Sequence, residues 1–197
     1  TTHYDLSCIR DTFSMMQALF FEYSEDKVKN KNFDNISNYT YWYSRDSLLR
    51  LSYIYQVINE CVALDFADFF KVPLSETVRE VSFTRNGEFK RFRMKEEKIK
   101  DFKPDVFRLF EEKVIRNING LEEFNSIKYS CNIGIYDFNS TIEIPSDIIQ
   151  PNSVDMVVTS PPYGDSRTTV AYGQFSRWAN EWFNFENAKT LDNLLMG

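Results

Sequence analysis

A Ser-Pro-Pro-Tyr string at residues 160–163 holds the side chains best suited to chemistry in this chain of 197 residues. Its two consecutive prolines remove two backbone N–H donors, so carbonyl oxygens dominate the turn that they form. These carbonyls and the Ser160 hydroxyl can accept hydrogen bonds from an amino group, while the Tyr163 ring offers a flat face for a planar partner. The string therefore suits an aromatic amine such as that of cytosine or adenine.

The position of this string favours a functional interpretation over an ordinary Pro-Pro turn with a surface tyrosine. Residues 154–158 are mostly apolar and β-branched, which predicts a buried strand that must end at the prolines. Ligands of open α/β sheets bind at such strand ends. An aromatic amine is a poor nucleophile because its lone pair is delocalised into the ring. Acceptors placed around the nitrogen favour a pyramidal geometry whose lone pair can attack.

Residues 159–163, Thr-Ser-Pro-Pro-Tyr, resemble the catalytic motif of the amino-group DNA methyltransferases. The Ser-initial form is most typical of cytosine-N4 enzymes, whereas Asp or Asn in that position is commoner among adenine-N6 enzymes. Residues 164–177 and 79–90 resemble further blocks of one bacterial and archaeal group of site-specific methylases. The resemblance implies S-adenosylmethionine as cofactor, a flipped target base, and Ser160, Pro161, Pro162 and Tyr163 as catalytic residues. It also implies that Asp137, after a strand expected at 127–137, lies near the cofactor's adenosine.

The glycine pattern departs from that family. Its members bind S-adenosylmethionine through a Gly-rich turn, typically Phe-x-Gly-x-Gly, whereas no two glycines of this chain have such a spacing. The six glycines are at positions 87, 120, 134, 164, 173 and 197. The sequence therefore predicts an internal piece of a longer enzyme or one part of a split enzyme. Its expected partners are double-stranded DNA and the missing remainder or a second subunit.

The predicted fold class is α/β, with part of a Rossmann-like S-adenosylmethionine-dependent methyltransferase sheet, a largely helical insertion and a basic β-hairpin. Residues 1–125 form a mostly helical region that is the candidate DNA-contacting insertion, and residues 126–197 form part of the catalytic domain. Apolar spacing predicts helices at 12–23, 44–70, 105–119 and 175–188. Ser44 is the predicted N-cap of the second helix, Pro73 its stop, and Gly120 the end of the third.

Strand-like residues on both sides of a turn signal at Asn86-Gly87 predict a hairpin at residues 77–93, and a local excess of positive charge marks it. The chain carries a net charge of −6, yet residues 79–103 hold nine basic and five acidic side chains. Such a patch suits DNA phosphates, although a solvated hairpin and helix face fits the composition equally well. The predicted DNA-binding residues are Arg85, Lys90, Arg91, Arg93 and, after the motif, Arg167. Arg167 could instead neutralise Asp165.

Four aromatic residues within 39–43 allow two interpretations, base stacking and core packing, and packing is preferred.

Other features restrict the function class. No apolar run approaches the length of a membrane span and no secretory signal begins the chain. The three isolated cysteines are typical of free, buried thiols in a cytosolic protein, which predicts a cytoplasmic location. His3 is the sole histidine, so neither a zinc site nor a His-dependent triad is expected.

The preferred function is site-specific methylation of an exocyclic amino group in DNA, at cytosine N4. One alternative is methylation of adenine N6 in DNA. Others are methylation of RNA bases and methylation of a glutamine in release factors, because the enzymes for both reactions use related Pro-Pro-Tyr turns. A further alternative is a non-catalytic piece that only recognises DNA or a partner subunit.

Overall fold

The structure is a computed structural model that describes residues 5–29, 33, 35–85, 87–88, 91–127, 131–136, 138, 142–159 and 173–190. These residues contain seven α-helices and one short 3-10 turn at Glu25–Lys27. The helices are α1 (Leu6–Phe21), α2 (Tyr39–Trp42), α3 (Arg45–Cys61), α4 (Leu64–Glu80), α5 (Glu96–Asp101), α6 (Val106–Ser126) and α7 (Gly173–Trp182). None of the described helices is long and apolar enough to cross a membrane.

Helix α4 lies at the centre of the bundle and packs against α3, α6 and α7. Its apolar face repeats every four residues at Phe70, Leu74 and Val78, which are all fully buried. From α7, Trp178 and Trp182 are buried in the same core. The helix that follows the candidate catalytic string is therefore part of the main hydrophobic core.

Two helix starts follow from capping side chains. The Ser44 hydroxyl accepts a hydrogen bond from the Ser47 N–H at 3.0 Å, which confirms Ser44 as the N-cap of α3. Asp105 caps α6 in the same way, since its carboxylate accepts from the Arg108 N–H at 3.2 Å. The apolar residues whose spacing predicts the helix at 105–119 form the buried face of α6: Val106, Phe107, Phe110, Val114 and Ile118.

The single long helix predicted at 44–70 is wrong, because the chain breaks between Cys61 and Leu64. Val62 and Ala63 adopt extended backbone with ψ of 134° and 142°, and α4 then begins in a new direction. The apolar spacing continues through the break, so periodicity alone gives no sign of it. The break allows α4 to fold back against α3.

Pro73 lies inside α4 and does not end a helix. A proline in a helix interior lacks the N–H that would donate to the carbonyl four residues earlier, a loss that commonly costs about 3 kcal/mol. The apolar face of α4 nevertheless continues past it, with Leu74 and Val78 fully buried. Burial of that face offsets the lost hydrogen bond, so tertiary packing overrides the local propensity.

The prediction of an α/β fold with part of a Rossmann-like sheet is wrong. Within the described residues, β pairing is limited to one isolated antiparallel bridge, Thr84–Arg93. Residues 131–136 and 154–159 lie in or beside the two predicted strands, yet they have no ladder and expose Ile135 (94%) and Val157 (79%). A strand is stable only where a neighbour pairs its N–H and C=O groups, and an apolar run does not specify that neighbour.

Smaller differences concern element ends and thiols. Helix α1 begins at Leu6 instead of residue 12, because Asp5 accepts from the Ser7 N–H at 2.8 Å and caps it. Helix α6 continues through Gly120 to Ser126, with Leu121 packed against the core. The three cysteines are free, but all are exposed, so the prediction of buried thiols is wrong.

Candidate nucleic-acid interface

Three of the predicted site residues, Arg85, Arg91 and Arg93, lie in the described part of the chain. The candidate catalytic residues lie outside it, as do the predicted cofactor contact and two predicted DNA-binding residues: Ser160, Pro161, Pro162, Tyr163, Asp137, Lys90 and Arg167. The geometry of the site is therefore that of the basic hairpin and of α7, which begins where the segment containing the candidate catalytic string ends.

Around the Thr84–Arg93 bridge, residues 83–85 and 91–94 form a short two-stranded ribbon. The Arg85 N–H donates to the Phe92 carbonyl at 2.8 Å, and the Met94 N–H donates to the Phe83 carbonyl at 2.7 Å. Gly87 has a φ of +86°, the left-handed conformation that the predicted turn requires. The ribbon begins later than residue 77, because residues 77–80 complete α4. Side chains alternate along a ribbon, so Arg91 and Arg93 point to one face and Phe92 to the other.

Arg91 and Arg93 are on the face of the ribbon that packs against aromatic rings of the helical body. The Arg91 guanidinium lies 4.5 Å from the Trp178 ring centroid and 5.7 Å from that of Trp42. The Arg93 guanidinium lies 4.5 Å from the Tyr41 ring, and its Nε donates to the Tyr41 carbonyl at 2.9 Å. A planar guanidinium stacks favourably on an aromatic face. Both arginines therefore fasten the ribbon to the body.

Arg85 is on the opposite face of the ribbon and is largely accessible. Its guanidinium lies 5.8 Å from the ring of Phe92, which pairs with it across the ribbon and is 45% exposed. Arg85 forms an ion pair with Glu88 in the turn. This outer face, Arg85 and Phe92, presents a cation and an apolar ring together to solvent. Both kinds of group contact DNA in known complexes, cations at phosphates and apolar side chains at base steps.

Four lysines beside the ribbon add positive charge that the predicted site did not include. Two of them, Lys98 and Lys100, lie in α5, and the other two, Lys95 and Lys103, lie just before and just after it. All four are exposed and have no ion pair within the described residues. Glu96, by contrast, pairs with Arg93. The signal for these lysines was present in the charge count over residues 79–103, but only the structure shows which cations are neutralised locally.

The aromatic cluster at residues 39–43 divides between core and surface. Tyr43 is buried, and burial raises the pKa of its hydroxyl well above the ordinary value. Trp42 and Tyr39 pack against the core. Tyr41 is 52% exposed beside Arg93. The preference for core packing is confirmed for these three residues, and Tyr41 is the surface member of the cluster.

A buried carboxylate anchors the far end of α7. Glu181 is only 3% exposed and accepts hydrogen bonds from the Ser37 N–H and hydroxyl, both at 3.0 Å. Arg177, one turn earlier, donates to it from Nε at 2.9 Å. The four-residue spacing of Arg177 and Glu181 is visible in the sequence, but nothing in the sequence connects Glu181 with Ser37. The network fixes α7 to the loop before α2.

No group of three or more potential metal ligands occurs within the described residues. The same residues contain no strand-to-helix glycine turn, so none of them is suited to hold S-adenosylmethionine in the way that such a turn does. The described part of the chain thus supplies a candidate surface for a polyanion and the support for α7.

Comparison with known proteins gives one informative similarity. The chain is 38% identical over 199 aligned residues to the type II methyltransferase M.MvaI of Kocuria varians. The alignment covers 96% of this chain but 43% of that protein, so the chain spans less than half the length of this relative. No protein-family model matches the chain. No solved structure matches it either.

Proposed function

Because nearly the whole chain aligns with part of a type II methyltransferase, we propose that it is part of a DNA methyltransferase. The proposed reaction transfers a methyl group from S-adenosylmethionine to the exocyclic amino group of a flipped DNA base, in the cytoplasm. The alignment is the observation that carries the proposal. The serine that begins the string at residues 160–163 supports cytosine N4 over adenine N6 as the methylated atom.

The proposed catalytic residues bind and orient the target base. Tyr163 stacks on the base, while the Ser160 hydroxyl and the Pro161 carbonyl accept hydrogen bonds from its amino group. Pro161 and Pro162 hold the turn rigid and keep competing N–H donors out of it. These contacts aim the nitrogen lone pair, and positioning of this kind supplies much of an enzyme's rate enhancement. S-Adenosylmethionine, when bound, supplies an electrophilic methyl group. Asp137 is the proposed contact to its adenosine.

The proposed roles differ between the N-terminal and C-terminal parts of the chain. Residues 1–125 contact DNA through the ribbon, and residues 126–197 contribute to the catalytic part. Arg85, Lys90 and Arg167 are the proposed direct DNA contacts, and the lysines around α5 extend this surface. Arg91 and Arg93, which were also predicted to bind DNA, are proposed instead to hold the ribbon that presents Arg85. The proposed partners are double-stranded DNA and the rest of the enzyme or a second subunit. The share of the relative that the chain covers supports such a further partner.

Replacing Arg85 with alanine is expected to weaken duplex binding about 3- to 10-fold and to lower the salt slope of log K by about 1, because one phosphate contact is lost. Fluorescence anisotropy at several salt concentrations measures both quantities. Arg108→Ala is the matched control, since Arg108 is also exposed and ion-paired within its own element, to Glu112 of α6. Equal effects of the two substitutions would contradict a DNA contact by Arg85.

Transfer of a tritiated methyl group from S-adenosylmethionine by the complete protein tests the proposed function. Duplex DNA, transfer RNA and a release factor serve as parallel acceptors, and label is expected in duplex DNA alone. Label in transfer RNA or release factor would assign the chain to the related RNA or glutamine methyltransferases.

A second candidate function is recognition of DNA without catalysis. The glycine spacing favours it, because the usual cofactor turn is missing from the sequence. Specific binding of duplex DNA with no methyl transfer to any acceptor would establish it.

A further inference from the structure

The ribbon and helix α7 are joined by a junction that consists of Arg91, Gln174 and Trp178. The Arg91 N–H donates to the Gln174 side-chain oxygen at 3.0 Å. The Arg91 guanidinium lies 4.5 Å from the Trp178 ring. Gln174 and Trp178 are four residues apart, so they are on the same face of α7. A single ribbon residue thus holds the first turn of the helix through its main chain and its side chain.

The other end of α7 is fixed independently of the ribbon. Glu181 binds Ser37 in the loop before α2, and Trp182 is fully buried. The first turn is where the ribbon contacts the helix, because Gln174, the second residue of α7, accepts from the Arg91 N–H. Gly173 begins α7 and directly follows the segment that contains residues 160–163 in the sequence. The ribbon therefore contacts α7 one residue after the helix begins.

We propose that Arg91 is a positioning residue that couples DNA bound on the ribbon to the candidate catalytic segment, through Gln174 and Trp178. The inference rests on the proposed function. Arg91 acts from the inner face, whereas Arg85 and Phe92 meet DNA on the outer face. DNA bound on the outer face fixes the position of the ribbon, and the junction in turn fixes the start of α7 at Gly173.

Substitutions at the junction distinguish coupling through the Arg91 contacts from an effect of the Arg91 positive charge alone. Arg91→Lys keeps the positive charge but removes the planar guanidinium that stacks on Trp178. Gln174→Met has a similar length and removes the acceptor of the Arg91 N–H, whereas Gln174→Glu retains an acceptor. Arg108→Lys repeats the arginine-to-lysine change at an exposed position on α6, remote in sequence from the ribbon and α7.

The complete protein, assayed for methylation of duplex DNA, should show a fall in kcat of about 10-fold in Arg91→Lys and in Gln174→Met, because small misplacements of reacting groups cost rate. The KM for DNA and the salt slope of DNA binding should stay within about 2-fold of the parent, since no phosphate contact is lost. Gln174→Glu should restore most of kcat, and Arg108→Lys should match the parent. A purely structural role for Gln174 would not give this division between kcat and KM with rescue by glutamate.

Other outcomes would overturn the proposal. A raised KM and lowered salt slope with kcat unchanged in Arg91→Lys would make Arg91 a direct DNA contact. Unchanged kcat in Gln174→Met would mean that the junction transmits nothing. Hydrogen exchange tests the junction without any methyl transfer: Gln174→Met should speed exchange both in the ribbon and in the first turn of α7. Unchanged exchange in α7 would refute the coupling, whereas a parent protein that methylates no DNA would refute the proposed function alone.

Discussion

Replacing Tyr163 with alanine is expected to lower kcat for DNA methylation by about 100-fold, because stacking on a base is worth about 1–3 kcal/mol and orients the amino group as well. Single-turnover transfer of a labelled methyl group to duplex DNA measures the effect, since it separates chemistry from product release. The loss should appear at saturating DNA, because the base is misoriented and not merely bound more weakly.

The control for this substitution is Tyr136→Ala. Tyr136 is 57% exposed, lies in residues 131–136, which form neither helix nor strand, and is not part of the candidate catalytic string. Its removal should leave kcat within about 2-fold of the parent, as for most surface substitutions. Equal rates for the parent and Tyr163→Ala would remove Tyr163 from the catalytic residues, and equal losses for both tyrosines would show that the effect is not specific to the string.

Replacing Glu181 with alanine should lower the free energy of unfolding by about 2–4 kcal/mol, because it leaves Arg177 and the Ser37 N–H without their shared partner in a buried setting. The Glu181 carboxylate accepts from both Ser37 donors at 3.0 Å and from Arg177 at 2.9 Å. Urea denaturation followed by circular dichroism measures the change. The same substitution should also slow methylation, because α7 supports the end of the candidate catalytic segment.

Glu186→Ala is the matched control for Glu181. Glu186 is exposed in the turns after α7, and its loss should change the free energy of unfolding by less than about 0.5 kcal/mol. If the two substitutions had equally small effects, the network around Glu181 would not anchor α7, and the account of how that helix is held would be wrong.

The helices could be predicted from the sequence where local chemistry specifies them. Ser44 caps α3 as predicted, and the apolar face of α6 is buried as its spacing predicts. The break before Leu64 and the continuation of α4 through Pro73 could not be predicted, because both depend on how α4 packs against its neighbours. Tertiary packing decides such cases against local propensity.

The predicted sheet failed for a related reason. Residues 154–158 have the composition of a buried strand, but composition does not supply the neighbouring strand that would pair with them. The described residues of both predicted strands have no helix or strand and are exposed. The interpretation of residues 160–163 does not depend on that sheet, because it rests on the residue types and the resemblance of the string.

The candidate interface was predictable in its charge but not in its geometry. The turn signal at Asn86-Gly87 located the hairpin and the count of basic residues gave its charge, and alternation along it separates Arg91 and Arg93 from Phe92. The groups that the ribbon contacts depend on tertiary packing, because Trp178 and Tyr41 come from elements distant in sequence from each other. The roles proposed for Ser160, Pro161, Pro162, Tyr163, Asp137, Lys90 and Arg167 remain predictions from the sequence.

The most direct test of the central claim is to identify the product. Duplex DNA incubated with the complete protein and S-adenosylmethionine is digested to nucleosides and analysed by mass spectrometry against synthetic standards. The account predicts N4-methylcytosine. N6-methyladenine would keep the amino-group chemistry but change the target base. Only 5-methylcytosine, or no methylated nucleoside at all, would contradict the claim that this chain belongs to an enzyme that methylates exocyclic amino groups of DNA.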